Sequence, residues 1–153
     1  MTEAAGSAGD KDPFELSRFV KAQDRIYERV LRELKSGRKS THWMWFVFPQ
    51  IEGLGYSSTT QYYSIKSKEE ARRYLDHPVL GKRLRECTET ILALEDLSAS
   101  SIFGYPDDLK LKSSMTLFAS VAEGQSVFNR VLEKYYQGNP DERTVAILER
   151  LKH

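Results

Sequence analysis

A chain of 153 residues, 40% hydrophobic and 29% charged, has the composition of an ordinary globular protein and can bury one core without a disulfide or metal. Lys and Arg number 23 against 22 Asp and Glu, so the net charge is +1 and no global field draws the chain onto nucleic acid. No apolar run approaches the ~18 residues of a membrane span. The lone Cys87 excludes an internal disulfide and a cysteine zinc site, and His42, His77 and His153 lack metal-ligand spacing. The expectation is a cytoplasmic protein with no metal, cofactor, membrane or nucleic-acid partner.

Residues 1–11 hold Gly, Ala, Ser and acid, without the basic start and apolar middle of a secretory signal, and read as a disordered tail. A single helical domain is expected over 12–153. Asp12-Pro13-Phe14-Glu15 has the order of a helix cap: an acid, a proline at the first helical position and a glutamate three residues on. Leu16, Phe19, Val20, Ile26, Tyr27, Val30, Leu31 and Leu34 then recur at helical spacing, with Arg18 and Glu33 among the charges assigned mostly to the opposite face. Gly37 ends this stretch, and a break near Gln23-Asp24 would make it two helices rather than one.

Thr41 to Gln50 is the most conspicuous segment. Six apolar residues, Trp43 to Phe48, lie between His42 and the Pro49-Gln50 pair, and both tryptophans of the chain are among them. Such a run fits a buried strand or a buried helix. No partner strand is evident elsewhere, and a lone strand leaves its backbone groups unpaired, so a short buried helix is expected, with Thr41 as cap and Pro49 as terminator. Trp45 is expected in the core, where its truncation would unfold the protein.

Beyond the Gly53-Leu54-Gly55 turn, Ser57 or Ser58 caps a short helix with Tyr62 and Tyr63, and Ser67 with Glu70 forms a capping box for the next. Pro78 starts a helix striped by Leu80, Leu84, Cys87 and Ile91, and Ser98 caps a turn that ends at Gly104. Pro106-Asp107-Asp108 opens a helix through Val121 with a possible kink near Lys112-Ser113; Val127 to Tyr136 and a last helix led by Asn139-Pro140-Asp141-Glu142 follow. The whole reads as an all-α orthogonal bundle or array of seven to nine short helices.

Candidate chemistry gathers at two places. His42, beside the indoles, has the ring type of a general base, and Asp107 and Asp108 are the natural acid/base partners. Trp43, Trp45 and Tyr62 offer stacking area, Gln50 an amide, and Lys110, Lys112 and Ser113 groups that hold an anion. Each has a structural alternative. Aromatics at this density are usually core, and acids at a helix N-terminus complement its dipole. Cys87, on an apolar face with no base nearby, is read as a packing residue. Walker-type, Gly-x-Gly-x-x-Gly, His-Glu-x-x-His and Gly-x-Ser-x-Gly patterns are absent from the sequence.

Several stretches together resemble an uncharacterised, mainly bacterial family. They are Asp12-Pro13-Phe14, His42 through Gln50, Gly53-Leu54-Gly55, His77 through Gly81 with Leu84-Arg85-Glu86-Cys87, and Pro106 through Phe118. That family is catalogued as a domain of unknown function, and some members carry the label calpastatin. The resemblance implies a helical domain over 12 to about 150 with no established activity. Composition argues against the label, because a calpain inhibitor of that kind is disordered and repeat-bearing. In its aromatic-plus-tyrosine pairs and a late Met-containing helix, the chain is also similar to ADP-ribose-processing proteins typified by riboflavin-biosynthesis intermediate N-glycosidases. Three functions therefore stand as expectations: binding of a polar, nucleotide-like small molecule in an aromatic pocket, a protein-interaction module without chemistry, and an N-glycosidase or ADP-ribose-type hydrolase.

Overall fold

The computed structural model describes residues 12–151; the tail expected over 1–11 lies outside the described residues. Among the described residues ten helices follow one another: α1 Ser17–Asp24, α2 Tyr27–Lys35, α3 Met44–Val47, α4 Ser58–Tyr63, α5 Lys68–Asp76, α6 Leu80–Ala93, α7 Ala99–Phe103, α8 Asp107–Val121, α9 Val127–Tyr136 and α10 Glu142–Leu151. Among the described residues the only β-type pairing is one parallel bridge between Ile51 and Ile65. The all-α expectation holds, with one helix more than the upper end of its range.

The extra helix comes from the break after Asp24. Gln23 is buried and donates to the Phe46 carbonyl and the Tyr74 hydroxyl, while Asp24 pairs with Arg83 at 2.8 Å. These bonds anchor the end of α1, and the chain restarts from Ile26 rather than from the expected Asp24 cap. Several caps fall on the serines named above: Ser57, Ser67 and Ser98 accept from the amides of Thr60, Glu70 and Ser101. The Ser67 box is only half made, because Glu70 turns to the Lys66 amide and to Arg18 instead. At the start of α6 the His77 Nδ1 accepts from the amides of Val79 and Leu80, so the ring caps this helix. The helix expected to kink near Lys112-Ser113 runs unbroken from Asp107 to Val121.

One core joins the helices. Phe19, Tyr74, Phe118 and Phe128 form an aromatic chain from α1 through α5 and α8 to α9, with centroid separations of 5.0, 5.3 and 5.9 Å. Trp43, Phe48 and Phe103 of α7 form a second series of ring contacts, at 6.2 and 6.1 Å.

Two charges assigned from sequence to the solvent face are instead buried. Arg18, 9% exposed, gives its five N–H groups to the carbonyls of Phe14, Glu15, Tyr62 and Ser64 and to Glu70. Glu33, 8% exposed, is the second. Burial of a charge is tolerated only where hydrogen bonds replace its hydration, and both residues meet that condition.

Candidate functional site

The site is built around α3, whose four residues carry the two tryptophans' neighbourhood in opposite directions. Trp43 is 1% exposed and donates its indole Nε1 hydrogen to Glu33 Oε1 at 2.9 Å. The same carboxylate accepts from the Ser40 and Thr41 amides and from the Thr41 hydroxyl. Thr41 is thus a donor to Glu33 and not the cap of α3, whose N-cap position is Trp43 without a side-chain bond. Burial raises a carboxyl pKa, but here the four hydrogen bonds outweigh it and hold Glu33 down at about 2. Trp43 is therefore a core residue, which corrects its place among the candidate ligand contacts.

Trp45 corrects the expectation in the other direction. It is half-buried and faces a depression of 550 Å³ with Phe46, Ser58, Thr59, Tyr62 and Tyr63. Tyr62 is 57% exposed. The rings support one another: Tyr62 and Tyr63 meet edge to face at 4.8 Å, and Phe46 tilts against Tyr63 at 5.3 Å. Burial pushes the Tyr63 phenol up from its ordinary pKa, so it stays a neutral donor. Gln50 shares a small recess with Trp45, Thr60 and Tyr63, and the Ile51–Ile65 bridge holds this segment in register through the bonds from the Ile65 amide to the Gln50 carbonyl and from the Glu52 amide to the Ile65 carbonyl.

Asp107 links the two tryptophans. One carboxylate oxygen lies 2.8 Å from Lys39 Nζ and the other 3.4 Å from Lys110 Nζ. Lys39, with 7% of its side chain exposed, sits over the Trp43 ring at 5.0 Å and donates to the Thr41 carbonyl. Lys110, 28% exposed, sits over the Trp45 ring at 5.4 Å. The buried indole and the half-exposed one each carry a lysine, and the two lysines share a single carboxylate.

Of the residues singled out from sequence, Trp45 and Tyr62 line this depression, Gln50 lies in the adjoining recess, and Lys110 stands over the Trp45 ring. The others do not join them. Asp107 is engaged by its two lysines, and the Asp108 carboxylate accepts from the Leu109 amide. His42 is exposed and, among the described residues, makes no hydrogen bond or ion pair. Lys112 lies over the Tyr136 ring, and Ser113 is buried with its hydroxyl on the Leu109 carbonyl. The residues that sequence reasoning overlooked are Glu33, Lys39, Ser58 and Thr59. For Glu33 a signal exists: Val30, Glu33, Leu34 and Gly37 stand at helical spacing, so the glutamate shares the edge of an apolar face.

The fold and this site define a small all-helical domain with a solvent-open aromatic depression. The chain belongs to the family described as "Protein of unknown function (DUF1810)", which matches residues 13–148. It is similar to the conserved hypothetical protein Rv1873 from Mycobacterium tuberculosis, known from a crystal structure at 1.38 Å, with 54% sequence identity, 90% of this chain and 99% of that chain covered, and a TM-score of 0.89. Among curated proteins none matches the chain. No described helix is long and apolar enough to cross a membrane, and no described group of His, Cys, Asp and Glu is arranged to hold a metal ion.

Proposed function

We propose that this domain binds a polar small molecule with a planar ring, of nucleotide-like chemistry, in the depression between α3 and α4. The observation that carries the reading is the set of solvent-open rings around that 550 Å³ space, with a cation over one of them. The volume lies within the ~300–1,000 Å³ usual for small-molecule sites. A planar ring stacks on Trp45 and Tyr62, the Ser58 and Thr59 hydroxyls bond its polar edge, and Lys110 turns from Asp107 toward an anionic group. Asp107 remains neutralised by Lys39 when Lys110 leaves, so the exchange strands no charge. The reading contains no acid/base step: the carboxylates of Asp107 and Asp108 are occupied elsewhere, and among the described residues His42 makes no hydrogen bond or ion pair.

Tryptophan fluorescence tests it, because only one of the two indoles faces the ligand. Titration with AMP, ADP and ribose 5-phosphate is expected to quench emission saturably and to raise Tm, as binding to the native state must. Trp45→Phe abolishes the quench and leaves the Trp43 emission. Absence of quenching and of any Tm shift with all three refutes the reading. A second reading, a protein-interaction surface, rests on Tyr105 in the turn before α8 and Leu109 in its first turn, which are 80% and 48% exposed. It gains ground if the three ligands fail and Tyr105→Ser removes binding to a partner protein.

A further inference from the structure

On a different part of the molecule, a cleft of 680 Å³ opens between α5, α6 and the start of α9. Arg72, Arg85 and Arg130 line it together with Asp76, Glu89 and Glu123, above an apolar floor that includes Leu75 and Phe128. Among the described residues these six charges form no ion pair, with one another or with anything else. Sequence spacing makes that notable. Arg72 and Asp76 stand four apart on α5, as do Arg85 and Glu89 on α6, the spacing at which helical charges close on each other. On the outer face of the same α5, Glu69 and Arg73 do close, at 3.8 Å.

Arg85 is positioned rather than loose. Its Nη1 donates to the Leu75 carbonyl at 3.2 Å, which leaves its other N–H groups free toward the cleft. The approach of α6 to the end of α5 depends on Gly81, where a methyl group would stand 2.0 Å from the Leu75 carbonyl oxygen and 3.1 Å from Arg85 Nη1. The stretch from His77 to Arg85 thus makes a cap, a close helix approach and a fixed guanidinium in succession. The first turn of α9, which carries no acid, opens into the same space.

We infer that this cleft is a second ligand site, taking a small zwitterion of the amino-acid or short-peptide class. Three guanidinium groups receive a carboxylate, and the three acids receive an ammonium group. A simple anion meets as many like charges as opposite ones, so a ligand carrying both signs is the one the lining selects.

The test is an amide NMR titration of the full chain with the free amino acids and their glycyl dipeptides, alongside acetate and phosphate. At least one zwitterion is expected to shift the amides of Leu75, Ser126 and Phe128 saturably, without changing Trp45 emission. Arg130→Gln, at an exposed side chain with no ion pair among the described residues, weakens that binding about tenfold or more, as does Arg85→Gln. The inference is overturned if no zwitterion moves these amides, if acetate or phosphate alone moves them equally at equal concentration, or if binding survives Arg130→Gln unchanged.

Discussion

Trp43 and Trp45 lie two positions apart on one short helix segment, and the structure puts them to opposite uses. Trp43 is enclosed, its single donor satisfied by Glu33, and it serves the fold. Trp45 borders an open depression, its indole makes no hydrogen bond among the described residues, and the lysine over it shares Asp107 with Lys39. The lesson is that hydrophobicity by itself does not separate a packing ring from a binding ring. What separates them is whether the polar atoms around the ring are already committed.

The sharpest way to break this contrast is truncation. Trp43→Ala is expected to cost about 3–5 kcal/mol of stability, as for large buried aromatics, whereas Trp45→Ala costs about 1 kcal/mol; Tm and chemical denaturation read both. Equal losses would erase the distinction. Glu33→Ala strands the Trp43 indole, two amides and a hydroxyl, and a loss of about 3 kcal/mol is expected from denaturant midpoints.

The same carboxylate gives a pH signature. Its folded-state pKa of about 2 lies below the ordinary 4.5. Its contribution is therefore complete above pH 4.5 and is lost as pH falls toward 2, up to ~3 kcal/mol in all. Stability curves of the wild type and Glu33→Gln should converge over that range; parallel curves would show that Glu33 is not held as its hydrogen bonds imply.

On the Trp45 side the effects fall on binding. Tyr62→Ala should weaken a nucleotide by about 5–150-fold, the range of one lost stacking contact of ~1–3 kcal/mol, with little change in Tm. Smallest of all, His42→Ala should alter stability by no more than about 0.5 kcal/mol and leave nucleotide affinity in place. A large loss of affinity there would bring His42 back into the site.

Helix content was legible because its signals are local. The serine caps at Ser57, Ser67 and Ser98, the periodic apolar positions of α2 and α6, and the acids opening α8 each lie within one or two turns of the structure they specify. The candidate site was legible only in part. Trp45, Gln50, Tyr62 and Lys110 were singled out and lie near one another, but Trp43 and Trp45 were read alike, each as a ligand contact with the core as its alternative. Glu33 and Lys39, which set the two indoles apart, were overlooked.

The residues themselves determined an all-helical chain, an aromatic segment at its centre, and the absence of metal-ligand spacing in the sequence. Tertiary structure alone decided which indole is enclosed, that Arg18 is buried, and that six charges share a cleft without an ion pair among the described residues. The physical reason is range. Capping and periodicity act over a few residues, whereas the fate of a charge or a ring depends on partners 10 residues away for Trp43 and Glu33 and 52 away for Arg18 and Glu70. Only the packed chain brings those partners into reach.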